Sequence, residues 1–281
     1  MQILPLSNRR SNSYHLVENS VWPIASSFSI FSLIIGLILL FQQKRYEIWG
    51  IEINGKIITI LAILSILYSS YNWWNDIIKE STYQGYHTEE VIKGLNIGYY
   101  LFILSEILIF GTLFFSFFYN SLIPSVEFSS TFPPKGIIAL DYKAVPLLNT
   151  GILFFSGLSI TASQNYLIGG KKNKTLLYLI LTLILAFFFS YLQYFEYTHA
   201  FFTITDSVFG ATFYSITGLH FFHMVIGEIL LIIILMRLLL NHFLINHSLG
   251  FSFSSIYYHF VDVVWLFVYS IIYIWGTVTF A

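Results

Sequence analysis

Apolar residues in this chain come in long, nearly unbroken runs. They neither alternate in twos nor band every three or four positions. Seven runs stand near 21–41, 57–74, 94–119, 147–168, 175–197, 210–240 and 253–281. About 20 apolar residues suffice to cross a bilayer as a helix. The pattern predicts an all-α membrane protein, a seven-transmembrane-helix bundle, with 1–281 as a single polytopic membrane domain. The second run is the shortest, and Ile51 and Ile53 could extend it. The sixth is long enough to tilt, to kink near Gly218 or to end early. The longest connection, between 119 and 147, carries Pro124, Pro133, Pro134 and Pro146, which break helices and favour extended chain.

Polar residues inside these runs carry the chemical information. His259 and Asp262 lie three apart in the last run, on one helical face. An ionised Asp near a bilayer centre costs roughly 3 kcal/mol on insertion scales, so this pair must face protein or water. Glu106 sits at the middle of the third run. One reading makes it a proton-accessible carboxyl; the other makes it a neutral Glu hydrogen-bonded to a neighbouring helix. It is expected to face protein, with no Lys or Arg in the neighbouring turns of its helix. His220 and His223 share a face of the sixth run with Gly227, and Glu228 follows. Two imidazoles at that spacing could bind a metal, with His259 as a third nitrogen. Without a Cys or a second carboxylate in the motif, interhelical hydrogen bonding is the better reading and no metal is expected. Asp206 is placed to cap the sixth helix. Gln193 and Glu196 end the fifth, with Glu196 at the membrane interface. Trp73, Trp74, Trp265 and Trp275 read as interface or packing residues. The mixed stretch 73–93, with Trp73, Lys79 and His87, is either a solvated loop or a lipid-headgroup site.

Composition narrows the class. Charged residues are 10% of the chain, against about 25% in soluble domains. A net charge of −1 gives no electrostatic case for nucleic acid. The absence of Cys removes disulfides, thiolate iron–sulfur ligation and Cys-based copper sites. Of the 13 Lys and Arg, Arg9, Arg10, Lys79, Lys93, Lys171, Lys172, Lys174 and Arg237 fall on the N-terminal side of a seven-span topology. Lys44, Arg45, Lys56, Lys135 and Lys143 fall opposite. That bias predicts an inside N-terminus and an outside C-terminus.

Specific wording adds a family resemblance. YYHFVDVVWLFVYSIIYIWG (Tyr257–Gly276) closely resembles the C-terminal helix of subunit III of cytochrome c oxidase. YHLVENSVWPI (Tyr14–Ile24), WWNDIIKESTYQGYHT (Trp73–Thr88), LFILSEILIF (Leu101–Phe110), FPPKGI (Phe132–Ile137), VPLLNT (Val145–Thr150) and FTITDSVFGATFYSITGLHFFHMVIG (Phe202–Gly227) follow in the family's order. The resemblance implies a non-redox core subunit of an aa3-type oxidase, which moves electrons from cytochrome c to oxygen and pumps protons. It implies no cofactor in this chain, with haem and copper in partner subunits, and subunits I and II and further oxidase subunits as partners. It implies phospholipid held in a cleft between helices 1–2 and helices 3–7, with Trp73, Lys79 and His87 as the headgroup residues. Glu106 would be a buried carboxyl near the proton-uptake interface, and the HxxH wording would hold no metal. The location implied is the mitochondrial inner membrane, with the N-terminus in the matrix and the C-terminus in the intermembrane space. The chain departs from the family at Asn75 and Lys79, where Arg is usual, at Ser252, where Glu is common, and at Glu228, an additional carboxyl. Alternatives are a ubiquinol oxidase subunit III, whose bacterial forms commonly have fewer helices, or a stand-alone proton or ion transporter with Glu106, His220, His223, Glu228 and Asp262 as its relay.

Overall fold

The computed structural model describes residues 14–42, 46–48, 51–124, 131–243 and 248–277. Arg9, Arg10, Lys44 and Arg45, used in the orientation argument, lie outside the described residues. Among the described residues, seven helices are long and apolar enough to cross a membrane. They are α1 (Trp22–Gln42), α2 (Gly55–Thr82), α3 (Glu89–Leu122), α4 (Val145–Ile168), α5 (Lys172–His199), α6 (Ser207–Leu239) and α7 (Leu249–Val268). A π-helical segment, Tyr269–Ile274, and a 3₁₀ turn, Trp275–Thr277, continue α7. Hydroxyl side chains inside the spans bond back to their own helix, as Ser26 does to Trp22 O and Thr217 to Phe213 O. In lipid no water is present to satisfy them.

The chain divides into two compact units, residues 1–96 and 97–281. In the first, α1 and α2 form an antiparallel pair. The Trp22 indole donates to Asp76 Oδ2 at 2.7 Å, and Ser29 meets Ser65 at 2.6 Å. Gly36 lies against Thr59, where a Cβ would stand 2.7 Å from Oγ1 and 2.8 Å from the backbone N. A missing side chain thus sets the interhelical distance. Two three-residue strands, β1 (Tyr46–Ile48) and β2 (Ile51–Ile53), pair antiparallel in the connection. Ile51 and Ile53 therefore do not extend α2. The helix starts only after Asn54, whose side chain accepts from the Lys56 N–H at 2.9 Å. Gly55 is pressed against Leu39 and Leu40 of α1.

In the second unit, cross-contacts give the directions. Ser159 with Thr182 and Ser163 with Thr175 O run α4 antiparallel to α5. Ser190 with Glu228 and Tyr197 with Thr217 do the same for α5 and α6. His220 with Val261 O sets α6 against α7, and Trp265 with Thr150 sets α7 against α4. Helix α3 runs parallel to α7: Tyr99 stacks on Phe253 at 4.2 Å, and Phe118 meets Trp275 at 5.6 Å. The core is aromatic, with Phe110, Phe117, Phe189, Phe209, Phe213, Tyr258, Trp265 and Tyr273 all buried. Trp265 is therefore a core residue rather than an interface one.

Local differences from the sequence reading have physical causes. Helix α6 is continuous through Gly218. Asp206 precedes α6 without capping it, because its carboxylate accepts instead from the Thr203 N–H and hydroxyl. Glu196, in the last turn of α5, is buried by protein. The Tyr273 hydroxyl, brought in by the π-helical end of α7, donates to it.

Candidate functional site

Glu106, His220, His223, Glu228 and His259 of α3, α6 and α7 each have a separate partner rather than forming one chain of relays, while Asp262 has no hydrogen-bond partner for its Oδ1. Glu106 is half-buried on α3, and its Oε2 lies 2.8 Å from His223 Nε2 on α6. His223 Nδ1 donates to Leu219 O at 2.8 Å, since a carbonyl can only accept. Two bare acceptors would repel at 2.8 Å, so one proton sits between Glu106 and His223. Whichever atom carries it, the pair is neutral overall. That resolves the cost of placing a carboxyl in mid-span: an unpartnered charge costs several kcal/mol, and a paired, proton-sharing one far less. Phe110 and Tyr257 flank the imidazole. The specific pairing of Glu106 with His223 was not readable from sequence, because helical periodicity relates positions within a helix, not between helices.

The other two imidazoles are engaged elsewhere. His220 is buried, and its Nε2–H donates to Val261 O at 3.2 Å between the rings of Phe189 and Trp265. The Thr161 hydroxyl donates to Gly157 O at 2.9 Å and so accepts from His259 Nε2–H at 3.1 Å. Asp262 Oδ2 stands 3.9 Å from His259 Nδ1, beyond hydrogen-bond length. His220, His223 and His259 thus face a backbone carbonyl, a carboxyl and a hydroxyl on three different elements. Among the described residues no three His, Asp or Glu converge as a metal site. Glu228, buried, accepts from the Ser190 hydroxyl on α5. Ser252 instead faces Gln164 on α4, so Glu228 does not take over the contacts of position 252.

In the first unit Trp73 is 37% exposed and Trp74 54%, with apolar rings open to the surroundings. Lys79 is held by Asp76 at 3.1 Å, the same carboxylate that takes the Trp22 indole. Trp73 and Lys79 are six positions apart on α2, about 120° around its axis at 100° per residue. His87 lies in the turn between α2 and α3. His15 stacks on Tyr86 at 4.5 Å and stands 4.0 Å from Glu80, tying the N-terminal approach to that same turn.

Residues 12–277 match the family model described as cytochrome c oxidase subunit III. The chain belongs to the cytochrome c oxidase subunit III family. It is 47% identical over 264 residues to cytochrome c oxidase subunit 3 of Allomyces macrogynus, covering 94% of this chain and 93% of that one. It is 43% identical over 268 residues to that of Tachyglossus aculeatus aculeatus, covering 95% and 99%. It is 42% identical over 271 residues to that of Drosophila melanogaster, covering 96% and 100%. Membership makes it a subunit of an enzyme complex of the respiratory chain, and the similarity runs through both structural units.

One buried polar site of this subunit III chain escaped the sequence reading. Glu196, Gln193 and Tyr273 meet inside the second unit, with Gln193 Nε2 3.5 Å from Glu196 and the tyrosine hydroxyl donating to it. The three-residue spacing of Gln193 and Glu196 was the available signal; Tyr273, 77 positions beyond Glu196, was not readable from it.

Proposed function

We propose that the chain is a non-redox core subunit of a mitochondrial cytochrome c oxidase. It supports electron transfer from cytochrome c to oxygen, with proton pumping, by stabilising the catalytic subunit, holding phospholipid and sustaining proton uptake. Haem and copper belong to partner chains, with subunits I and II as neighbours. The protein lies across the inner membrane, N-terminus in the matrix and C-terminus in the intermembrane space. The observation that carries the reading is the pairing of the intramembrane polar groups with protein. Glu106 is committed to His223, Glu228 to Ser190 and His220 to a backbone carbonyl. A relay needs groups free to exchange partners along a water-accessible line; these groups tie α3, α5, α6 and α7 together. The exposed Trp73 and Trp74 rings and the Lys79 ammonium on α2 suit an interfacial phospholipid.

The test is affinity purification of the tagged chain, followed by a haem spectrum and lipid analysis. Haem- and copper-bearing chains are expected to come with it, along with tightly held phospholipid. Purification as a haem-free single chain with intact ion flux would favour a transporter and overturn the proposal.

A further inference from the structure

Between α4 and α7 runs a groove of about 250 Å³, open to the outside of the second unit. Its rim is apolar and exposed: Phe154 and Leu158 on α4, Val263 and Leu266 on α7. Its floor is polar and unsatisfied. Asp262 Oδ1 is buried with no hydrogen-bond partner, and Oδ2 has only the imidazole at 3.9 Å. Because His259 Nε2–H is spent on Thr161, Nδ1 of the neutral ring is a lone pair. The floor therefore presents acceptors, Asp262 Oδ1 and His259 Nδ1, that no donor among the described residues reaches. Gly157 keeps this floor open, since a Cβ there would lie 2.8 Å from Asp262 Oδ2.

Depth decides what can supply the donor. Asp262 lies near the middle of the span Leu249–Thr277, about 15 Å from either membrane surface. Lipid headgroups do not reach that level, and acyl chains carry no donor. A side chain on another transmembrane helix does both: its apolar neighbours cover the rim, and its N–H or O–H enters the groove. We propose that the α4–α7 groove is the seat of a transmembrane helix from another oxidase subunit, which inserts a hydrogen-bond-donating side chain toward Asp262 and His259. A group with two donors, such as an amide, ammonium or guanidinium, meets both acceptors at once. This rests on the reading of the chain as an oxidase subunit.

The test uses the intact complex. A high-resolution map of the assembled oxidase is expected to show a donor atom of another subunit within about 3 Å of the Asp262 carboxyl. An acyl chain alone, water alone, or α1 or α2 of this same chain in the groove would overturn the inference while leaving the functional reading intact. Absence of haem- and copper-bearing chains from the preparation would overturn both. A second arm uses Leu158→Trp, which fills the groove from its exposed rim without entering the subunit's core. Leu177→Trp, on the exposed face of α5, is the control. Loss of the chain from the complex in a detergent titration is expected to be about tenfold easier for Leu158→Trp. Equal retention of the two variants counts against the groove as a docking seat.

Discussion

The two units of this chain are built on different principles. In α1 and α2 only 11% and 17% of the membrane-spanning window is buried; in the second unit α3 also buries 11%, whereas α4 to α7 bury 33% to 44%. The first unit is a two-helix hairpin whose helices meet through small residues, Gly36 on Thr59 and Ser29 hydrogen-bonded to Ser65, with a further hydrogen bond from Trp22 to Asp76 at one end. The second is a bundle whose helices are pinned by side chains reaching across: Glu106 to His223, Ser190 to Glu228, Tyr197 to Thr217, Tyr258 to Ser156. Lipid tails are as apolar as leucine, so burial alone does not drive helices together in a membrane; close packing and interhelical hydrogen bonds do. The hairpin uses mainly the first and the bundle adds the second. Steric change should therefore damage the hairpin most, and loss of polar partners should damage the bundle.

The largest effect is expected for Gly36→Val. Its added carbon atoms meet the Thr59 backbone, which cannot rotate away as a side chain could. Overpacking of this kind costs about 1–3 kcal/mol, and here it pushes apart the backbones of a closely packed pair. Hydrogen exchange along α1 and α2 should accelerate while α4 to α7 stay protected. Uniform acceleration through both units would remove the distinction between them.

Next comes Glu106→Ala. It strips His223 Nε2 of its partner inside the bundle, with an expected loss of about 1–3 kcal/mol. Retention of the subunit on the complex during heating measures it. Glu106→Gln should be much milder, because its amide donates to the same nitrogen while His223 Nδ1 still bonds Leu219 O. Oxygen reduction in the assembled Gln variant should stay near that of the native complex. Near-complete loss would show that the shared proton moves during turnover, and would replace a supporting role by an essential one.

Smaller again is Trp22→Phe in the hairpin. An aromatic ring remains, and Asp76 retains the Lys79 ammonium at 3.1 Å, so one hydrogen bond to a charged acceptor is removed without orphaning it. About 1 kcal/mol is expected, visible as looser retention of α1 against α2 and of any lipid held beside Trp73.

How much of this was legible follows from what sequence periodicity encodes. The seven helices were readable because apolar length is a local property: WPIASSFSIFSLIIGLILLFQ is a span by itself. That Glu106, His259 and Asp262 needed polar or protein surroundings was readable too, from the cost of polarity at depth. Which partner each takes was not. Glu106 and His223 are 117 positions apart, and nothing in either helix specifies the other's rotation. The β1–β2 hairpin was missed because Ile51 and Ile53 suit strand and helix alike; Asn54 and the contact of Gly55 with α1 decide the helix start. Asp206 had the right residue type and position for a cap, yet Thr203 competes for its carboxylate.

The smallest effect is expected for Tyr258→Phe, deep in the bundle. Tyr258 is fully buried and its hydroxyl donates to Ser156 Oγ at 3.0 Å, so intuition would rank it among the most damaging changes. The accounting of donors says otherwise. Ser156 Oγ donates its own proton to Leu153 O at 2.7 Å and keeps that bond in the variant. The deleted hydroxyl takes its donor with it, the ring still fills its place beside Gly227, and no buried group is left without a partner. Interhelical hydrogen bonds in membrane proteins average about 0.6 kcal/mol in double-mutant cycles, because the separated helices find other partners. A loss of about that size is expected for Tyr258→Phe, and a double-mutant cycle with Ser156→Ala measures it directly. A coupling several times larger would mean that the α4–α7 contact is held by this bond rather than by packing. The bundle would then depend on single polar links as the hairpin depends on Gly36.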